Sequence, residues 1–254
     1  MTQPRAPDPA RIAFLDSTAY AHRGLHGDGA EGRPENSLPA FAAAIAAGHG
    51  IECDTRLSAD GVPFVFHDAT LDRLTDATGP VAHRSAEELD RVLLKGDGGA
   101  IPRLSALLDR IAGRVPLLIE LKIDRHRELR PLCEAVRRAL ARYRGPVAVM
   151  SFHPGVARWF HAHAPDIVRG LVVTEQSRHG PAGGLARHLA FRAAHPDFLA
   201  YDVRDLPSRF VRAARRKGLP VLSWTVRNAR DWRTVEAEAD AAIFERGVSA
   251  RHEG

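Results

Sequence analysis

The sequence predicts an α/β fold, a (β/α)8 barrel of eight parallel strands. Three observations carry that expectation. Short apolar runs of strand length alternate with segments of helical periodicity. Strict alternation of this kind builds a parallel sheet. Eight strand candidates can be counted, and a length of 254 residues suits one such barrel or two small domains.

The first strand candidate is Ala19–His22 and the second is Ile51–Thr55. After the second comes Asp60-Gly61, a tight-hairpin signal, with apolar residues on either side. Val62–His67 is therefore expected as the return arm of a β-hairpin, not as a barrel strand. Folding the chain about this pair sets Asp54 opposite His67. Glu52 and Asp54 are two residues apart and share a strand face, while Cys53 points into the core behind them. Residues 69–115 are the least regular part. They read as a helical excursion between the second and third strands, with helices at Ala86–Leu93 and Leu104–Ala112 and a Gly96–Gly99 loop.

The remaining strands are expected at Leu117–Leu121, Val147–Ser151, Ile167–Val173, Phe198–Tyr201, Val221–Val226 and Ala241–Phe244. Between them, helical periodicity covers Arg125–Arg142, Pro154–Ala164, Ala182–Ala194, Pro207–Lys217 and Ala229–Ala237. Gly145-Pro146, Ala164-Pro165 and Gly218 before Pro220 punctuate the helix ends. No linker, repeat or low-complexity block divides the chain, so residues 1–254 are expected to form one domain. An open doubly wound sheet is the alternative. It is disfavoured because His22-Arg23-Gly24-Leu25-His26-Gly27 is no GxGxxG phosphate loop.

Composition narrows the class. An apolar fraction of 44% supports a large core. No run approaches the roughly 18 apolar residues of a spanning helix, and the first twenty residues carry no signal-peptide pattern. A cytoplasmic protein with no stable membrane insertion is expected. Two cysteines, Cys53 and Cys133, form no CxxC pair and read as reduced thiols. The net charge of +5 is almost all arginine, since Lys95, Lys122 and Lys217 are the only lysines. A basic surface favours phosphate-bearing partners. The arginines are scattered and lack the interleaved aromatics of a nucleic-acid platform, so a small-molecule substrate is expected and nucleic acid is not.

Barrel active sites lie at the C-terminal strand ends. His22-Arg23 ends the first strand, and Glu52 and Asp54 end the second. Glu120 and Lys122 end the third, Ser151-Phe152-His153 follow the fourth, and Asp202 and Trp224-Thr225 end later strands. A single histidine at a strand end is ordinarily structural, and one Glu-x-Asp pair is unremarkable. The charged pair Glu120-x-Lys122 inside an apolar strand is what lifts the set, because burying it is costly unless it faces a site. Three carboxylates suit one hard divalent cation, Mg²⁺ or Ca²⁺. Two histidines then stay free for proton transfer near neutrality. Arg23 and Lys122 supply positive charge for an anionic substrate. Metal, cationic clamp and acid–base pair together describe phosphodiester cleavage. Trp224 is core or pocket wall and stands as a candidate substrate-binding residue. Asp202 could cap a helix, and His26, His49, His83 and His153 read as structural or exposed.

These residues resemble the glycerophosphodiester phosphodiesterase family. The resemblance runs through Ala21-His22-Arg23-Gly24, Pro34-Glu35-Asn36-Ser37, Gly50-Ile51-Glu52-Cys53-Asp54 and Ser58-Ala59-Asp60-Gly61. It continues through Val65-Phe66-His67-Asp68, Leu71-Asp72-Arg73-Leu74-Thr75, Ile119-Glu120-Leu121-Lys122, Ser151-Phe152 and Ser223-Trp224-Thr225-Val226. It implies a TIM barrel that hydrolyses glycerophosphodiesters to sn-glycerol 3-phosphate and an alcohol. It implies His22 and His67 as the acid–base pair, Glu52, Asp54 and Glu120 as metal ligands, and Arg23 and Lys122 on the phosphate. The compact size looks like the cytoplasmic bacterial members. Three positions depart from the usual pattern: Ser37 replaces a common Thr, Arg227 precedes Asn228, and Asp240–Glu245 replaces a more usual Asp-Gly-Ile-Ile-Thr-Asp. All three miss the expected metal site. The rival readings are a phospholipase-type phosphodiesterase acting at a membrane surface and a non-catalytic phosphate-binding protein. The polar 69–115 segment offers no obvious apolar insertion for the first, and the second needs no acid–base pair.

Overall fold

The computed structural model describes residues 7–27, 32–176 and 180–245. Its contacts divide the chain into two compact units, one of residues 21–149 and one of residues 1–20 with 150–254.

Strand β1 (Tyr20–His22) leads into the first of these. Just beyond it the backbone turns left-handed at Arg23 (φ 56°) and Gly24 (φ 81°). A Cβ on Gly24 would lie 2.9 Å from the Ala40 carbonyl carbon, so helix α2 (Leu38–Ala46) packs against bare backbone here. Ser37 caps α2 by accepting from the Ala40 N–H, which explains why the serine serves at this position. Strand β2 (Gly50–Leu57) pairs in parallel with β4 (Leu117–Leu121), and the register sets Asp54 beside Glu120. Cys53 is fully buried on the opposite face, as expected.

Strand β3 (Pro63–Val65) returns antiparallel to β2. The hairpin forms, but its register differs by one residue from the expected one. Thr55 pairs with Val65, Arg56 with Phe64 and Leu57 with Pro63. The next residue opposite Asp54 is Phe66, whose N–H donates to Asp54 O at 3.0 Å, and not His67. The cause is the loop. Ser58–Val62 form a five-residue connection in place of a two-residue turn. Ser58 N–H donates to Val62 O, and Ser58 Oγ accepts from the Val62 N–H. Pairing ends at Val65, so strand alternation no longer dictates where His67 points.

The segment after His67 packs on the hairpin through a satellite core of Phe64, Phe66, Leu71, Val81, Leu89 and Ile101. Helix α3 (Ala86–Leu89) begins at a capping box of Ser85 and Glu88. It stops short of the expected Leu93 because the chain turns into a small antiparallel bridge: Ile101 N–H donates to Val92 O and Leu94 N–H to Gly99 O. Helix α4 (Leu104–Ile111) packs on α2 and on α5 (Leu129–Leu140). It stands where a helix is expected at Leu104–Ala112 and is the crossover helix between β2 and β4.

Strand β5 (Val147–Ser151) spans the boundary between the units. In the second unit β6 (Val168–Val173), β7 (Phe198–Asp202), β8 (Val221–Val226) and β9 (Ala241–Phe244) pair in parallel in that order. Helices α6 (Pro154–His163), α7 (Gly180–Ala194), α8 (Arg209–Arg215) and α9 (Ala229–Glu238) separate them, after a short α1 (Pro9–Ile12). Asp202 caps the turn after β7 by accepting from the Arg204 N–H, the role its position suggested. Trp224 Nε1 donates to Ala200 O at 2.9 Å, and its ring stands edge-on to Phe152. Setting β3 aside, the described strands follow one another as eight parallel elements separated by helices.

Candidate active site

Within residues 21–149, β2 delivers Glu52 and Asp54, and the end of β4 delivers Glu120 and Lys122. The three carboxylates are buried, and one oxygen of each lies within 4.8 Å of the others. Lys122 Nζ bridges two of them, 2.9 Å from Asp54 Oδ1 and 2.8 Å from Glu120 Oε1. The left-handed backbone at Arg23 aims its N–H at Glu52 Oε2, 3.1 Å away. Its guanidinium lies 3.2 Å from Asp54 Oδ2 and donates to Glu35 Oε1 at 2.7 Å. Asn36, also left-handed (φ 56°), donates from Nδ2 to Asp54 Oδ2 and accepts from the Asp54 N–H.

The two histidines flank this acidic centre. His22 Nε2 lies 3.9 Å from Glu52 Oε2. His67 Nδ1 lies 2.7 Å from Asp68 Oδ1. An ionised carboxylate only accepts, so Nδ1 carries the proton and Nε2 presents its lone pair. Arg73 grips Asp68 and Glu35 together, with Nε to Asp68 Oδ2 at 2.6 Å and Nη2 to Glu35 Oε1 at 2.7 Å.

Burial, and then the crowding of charge, dominate the electrostatics. Burial, then Asp54 and Glu120, push the Glu52 carboxyl well above the usual range. Burial acts the same way on Glu120, which stays raised despite Lys122. Burial would also raise Asp54, but Lys122 and then Arg23 outweigh it and hold the group low. The Lys122 ammonium resists its own burial because Asp54 and Glu120 face it, and it is raised. Burial lowers His67, and Lys122 and Arg23 add to that, while Asp54 and Asp68 partly oppose it. An imidazole below its ordinary value is neutral at pH 7.

Glu52 Oε1 is buried with no hydrogen-bond partner. An orphaned carboxylate oxygen inside a protein is expensive. Three clustered carboxylates offering oxygen atoms, one of them orphaned, fit a hard divalent cation. A cavity of about 310 Å³ opens beside Lys122, walled by Leu57, Val81 and Leu132 and by the ion-paired Arg56 and Asp124.

The residues expected from sequence at 22, 23, 52, 54, 67, 120 and 122 thus stand together in one unit. Trp224 belongs to the other unit, on β8. Sequence reasoning gave no role to Glu35, Asn36, Asp68 or Arg73. Glu35, Asn36 and Arg73 lie on loop segments where strand periodicity carries no signal. Their only mark was that they fall within the motifs that carried the family resemblance.

Comparison with known proteins agrees. The family model for the glycerophosphoryl diester phosphodiesterase family matches residues 22–247. A glycerophosphodiester phosphodiesterase of Caldanaerobacter subterraneus is 29% identical over 90% of this chain and 94% of its own length. One from Bacillus altitudinis is 32% identical over 58% of this chain, and the match spans 63% of that relative. In fold, the chain is similar to an Oleispira antarctica phosphodiesterase solved in complex with sn-glycerol-3-phosphate, with TM-score 0.77 at 24% identity, covering 90% of this chain and 92% of that one. The alternating strands and helices together with this likeness make the fold a (β/α)8 TIM barrel. By the match over most of its length, the chain belongs to the glycerophosphoryl diester phosphodiesterase family.

Proposed function

We propose that this protein hydrolyses glycerophosphodiesters to sn-glycerol 3-phosphate and an alcohol, with one divalent cation, Mg²⁺ or Ca²⁺, and a histidine acid–base pair. The observation that carries the reading is the buried triad of Glu52, Asp54 and Glu120, with its orphaned Glu52 Oε1, set beside His22 and His67. Glu52, Asp54 and Glu120 would hold the cation. When bound, it supplies Lewis-acid stabilisation of charge growing on the phosphoryl oxygens. Arg23 and Lys122 bind the anionic diester and orient it. Neutral His67, its Nδ1–H held by Asp68, takes a proton at Nε2 from the attacking O–H. That O–H belongs either to water or to the glycerol 2-hydroxyl, the latter giving a cyclic phosphate that water then opens to sn-glycerol 3-phosphate. As the new P–O bond forms, the bond to the alcohol oxygen breaks, and His22 gives that oxygen its proton.

The Oleispira neighbour's bound sn-glycerol-3-phosphate is the product expected here, which supports the reading. The cavity beside Lys122 has room for the alcohol half of the diester. The reading treats residues 1–254 as one catalytic domain acting on a small molecule. It places the protein in a reducing cytoplasm, supported by two buried, unbridged cysteines. Among the described residues no helix is long and apolar enough to cross a membrane.

The test is incubation of purified protein with glycerophosphocholine and glycerophosphoethanolamine, reading glycerol 3-phosphate with EDTA, Mg²⁺ or Ca²⁺. Metal-dependent product is expected. No product from any head group would reject the proposal, and product only from lipid vesicles would favour the phospholipase reading.

A further inference from the structure

The excursion residue Arg73 belongs to neither the acidic triad nor the acid–base pair, yet its side chain links both halves of the site. Its guanidinium makes two forked contacts. Nε and Nη2 donate to Asp68 Oδ2 and Oδ1 at 2.6 and 3.0 Å. Nη1 and Nη2 donate to Glu35 Oε2 and Oε1 at 3.0 and 2.7 Å. Glu35 accepts from Arg23 Nη1 at 2.7 Å, and Asp68 Oδ1 lies 2.7 Å from His67 Nδ1. The result is an unbroken chain Arg23–Glu35–Arg73–Asp68–His67. It starts at the phosphate clamp and ends at the proton acceptor. Only a planar guanidinium can fork to two carboxylates at once, and an ammonium cannot.

We propose that Arg73 is a positioning residue that sets the Arg23 clamp and the His67 imidazole in register with each other. The proposal rests on the roles given to Arg23 and His67 above. Arg73 acts through Glu35 on substrate binding and through Asp68 on proton transfer, so its loss damages both. A misplacement of about 1 Å at reacting groups can cost roughly 100-fold.

Arg73→Ala is expected to lower kcat/KM roughly 100-fold, split between a lower kcat and a higher KM. Glu35→Gln should act mainly on KM and Asp68→Asn mainly on kcat. Arg73→Lys keeps the charge but loses the double fork, and is expected to fall with Arg73→Ala. Added ethylguanidinium should restore part of the activity of Arg73→Ala, which loss of fold alone would not allow. Imidazole NMR needs no turnover: the His67 Nδ1 proton resonance is expected in the wild-type protein and lost in Arg73→Ala. Wild-type kcat and KM in Arg73→Lys, or an unchanged His67 resonance in Arg73→Ala, overturns the proposal. A wild-type protein without turnover rejects the hydrolase reading alone, and the resonance then decides on Arg73.

Discussion

Two clusters of buried charge, one in each unit, show opposite arithmetic. In the second unit Asp197 accepts from Arg11 and from the Arg169 backbone, and the Arg169 guanidinium lies 3.2 Å away. Two guanidinium groups serve one carboxylate, and Arg169 spends its remaining donors on His195 O, Pro165 O and His161. In residues 21–149 three buried carboxylates face Lys122 and Arg23, and Arg23 is shared with Glu35. There Glu52 keeps an orphaned oxygen. The first cluster leaves its carboxylate fully served, with the surplus positive charge on the part-exposed Arg11, and ties α1 to β6. The second lacks positive charge that a divalent cation would supply. Buried charge by itself therefore does not mark a site, whereas a surplus of buried carboxylates over the cations that face them does.

The comparison can be broken by substitution. Glu52→Gln is expected to lower metal-dependent turnover about 1,000-fold or more, since Lewis-acid stabilisation is worth several kcal/mol. The same variant should melt no lower than wild type without metal, because it removes a buried acid crowded by Asp54 and Glu120 and keeps an oxygen for the Arg23 N–H. Asp197→Ala should do the reverse. It strands Arg169, costs about 3–5 kcal/mol of stability, and leaves kcat/KM of the folded protein unchanged. Next in size, His22→Ala and His67→Ala should each cut kcat by at least roughly 100-fold with little change in melting temperature. Near-normal turnover in either removes that histidine from the mechanism.

Cation binding gives a smaller and purely thermodynamic test. Mg²⁺ or Ca²⁺ at a hundred times its dissociation constant should stabilise the wild-type protein by about 2.7 kcal/mol. The shift should vanish in Asp54→Asn and persist in Asp197→Asn. A shift of equal size in both would erase the distinction between the clusters. The weakest effect is on acid stability. Arg73, and then His67, hold the Asp68 carboxyl down to about 2 from 3.8. A depressed acid stabilises the fold above its unfolded value, so the Asp68 contribution is whole above pH 3.8 and is lost as pH falls toward 2. Acid unfolding of wild type and Asp68→Asn should therefore diverge above 3.8 and converge near 2.

Most of the fold was legible because its signals are local and periodic. The strands Leu117–Leu121, Val147–Ser151, Val221–Val226 and Ala241–Phe244 have the same limits in sequence and in structure. Glu52, Asp54, Glu120 and Lys122 were readable for the same reason, since a charge on an apolar strand stands out. The hairpin register was not, because Asp60-Gly61 sits inside a five-residue loop that Ser58 closes with its side chain. Helix α4 lies where its periodicity puts it, but that periodicity does not tell that it packs on α2 and α5. Glu35, Asn36, Asp68 and Arg73 stayed silent. The roles of Glu35, Asn36 and Arg73 depend on contacts between residues far apart in sequence, such as Arg73 to Glu35, that no spacing rule encodes.

Cys53 sits on β2 between two of the proposed ligands but on the opposite face, fully buried. Burial, then Glu52 and Asp54, push its thiol well above the ordinary value, so no reactive thiolate exists while the strand is in place. An alkylating reagent can reach this sulfur only when β2 leaves the sheet. The rate of Cys53 modification therefore reads the free energy of opening β2 at the site itself, with no label engineered into the chain. Cys133 on α5, pushed up to about 12 by burial, supplies the internal reference. A cation held by Glu52 and Asp54 should slow the first clock far more than the second.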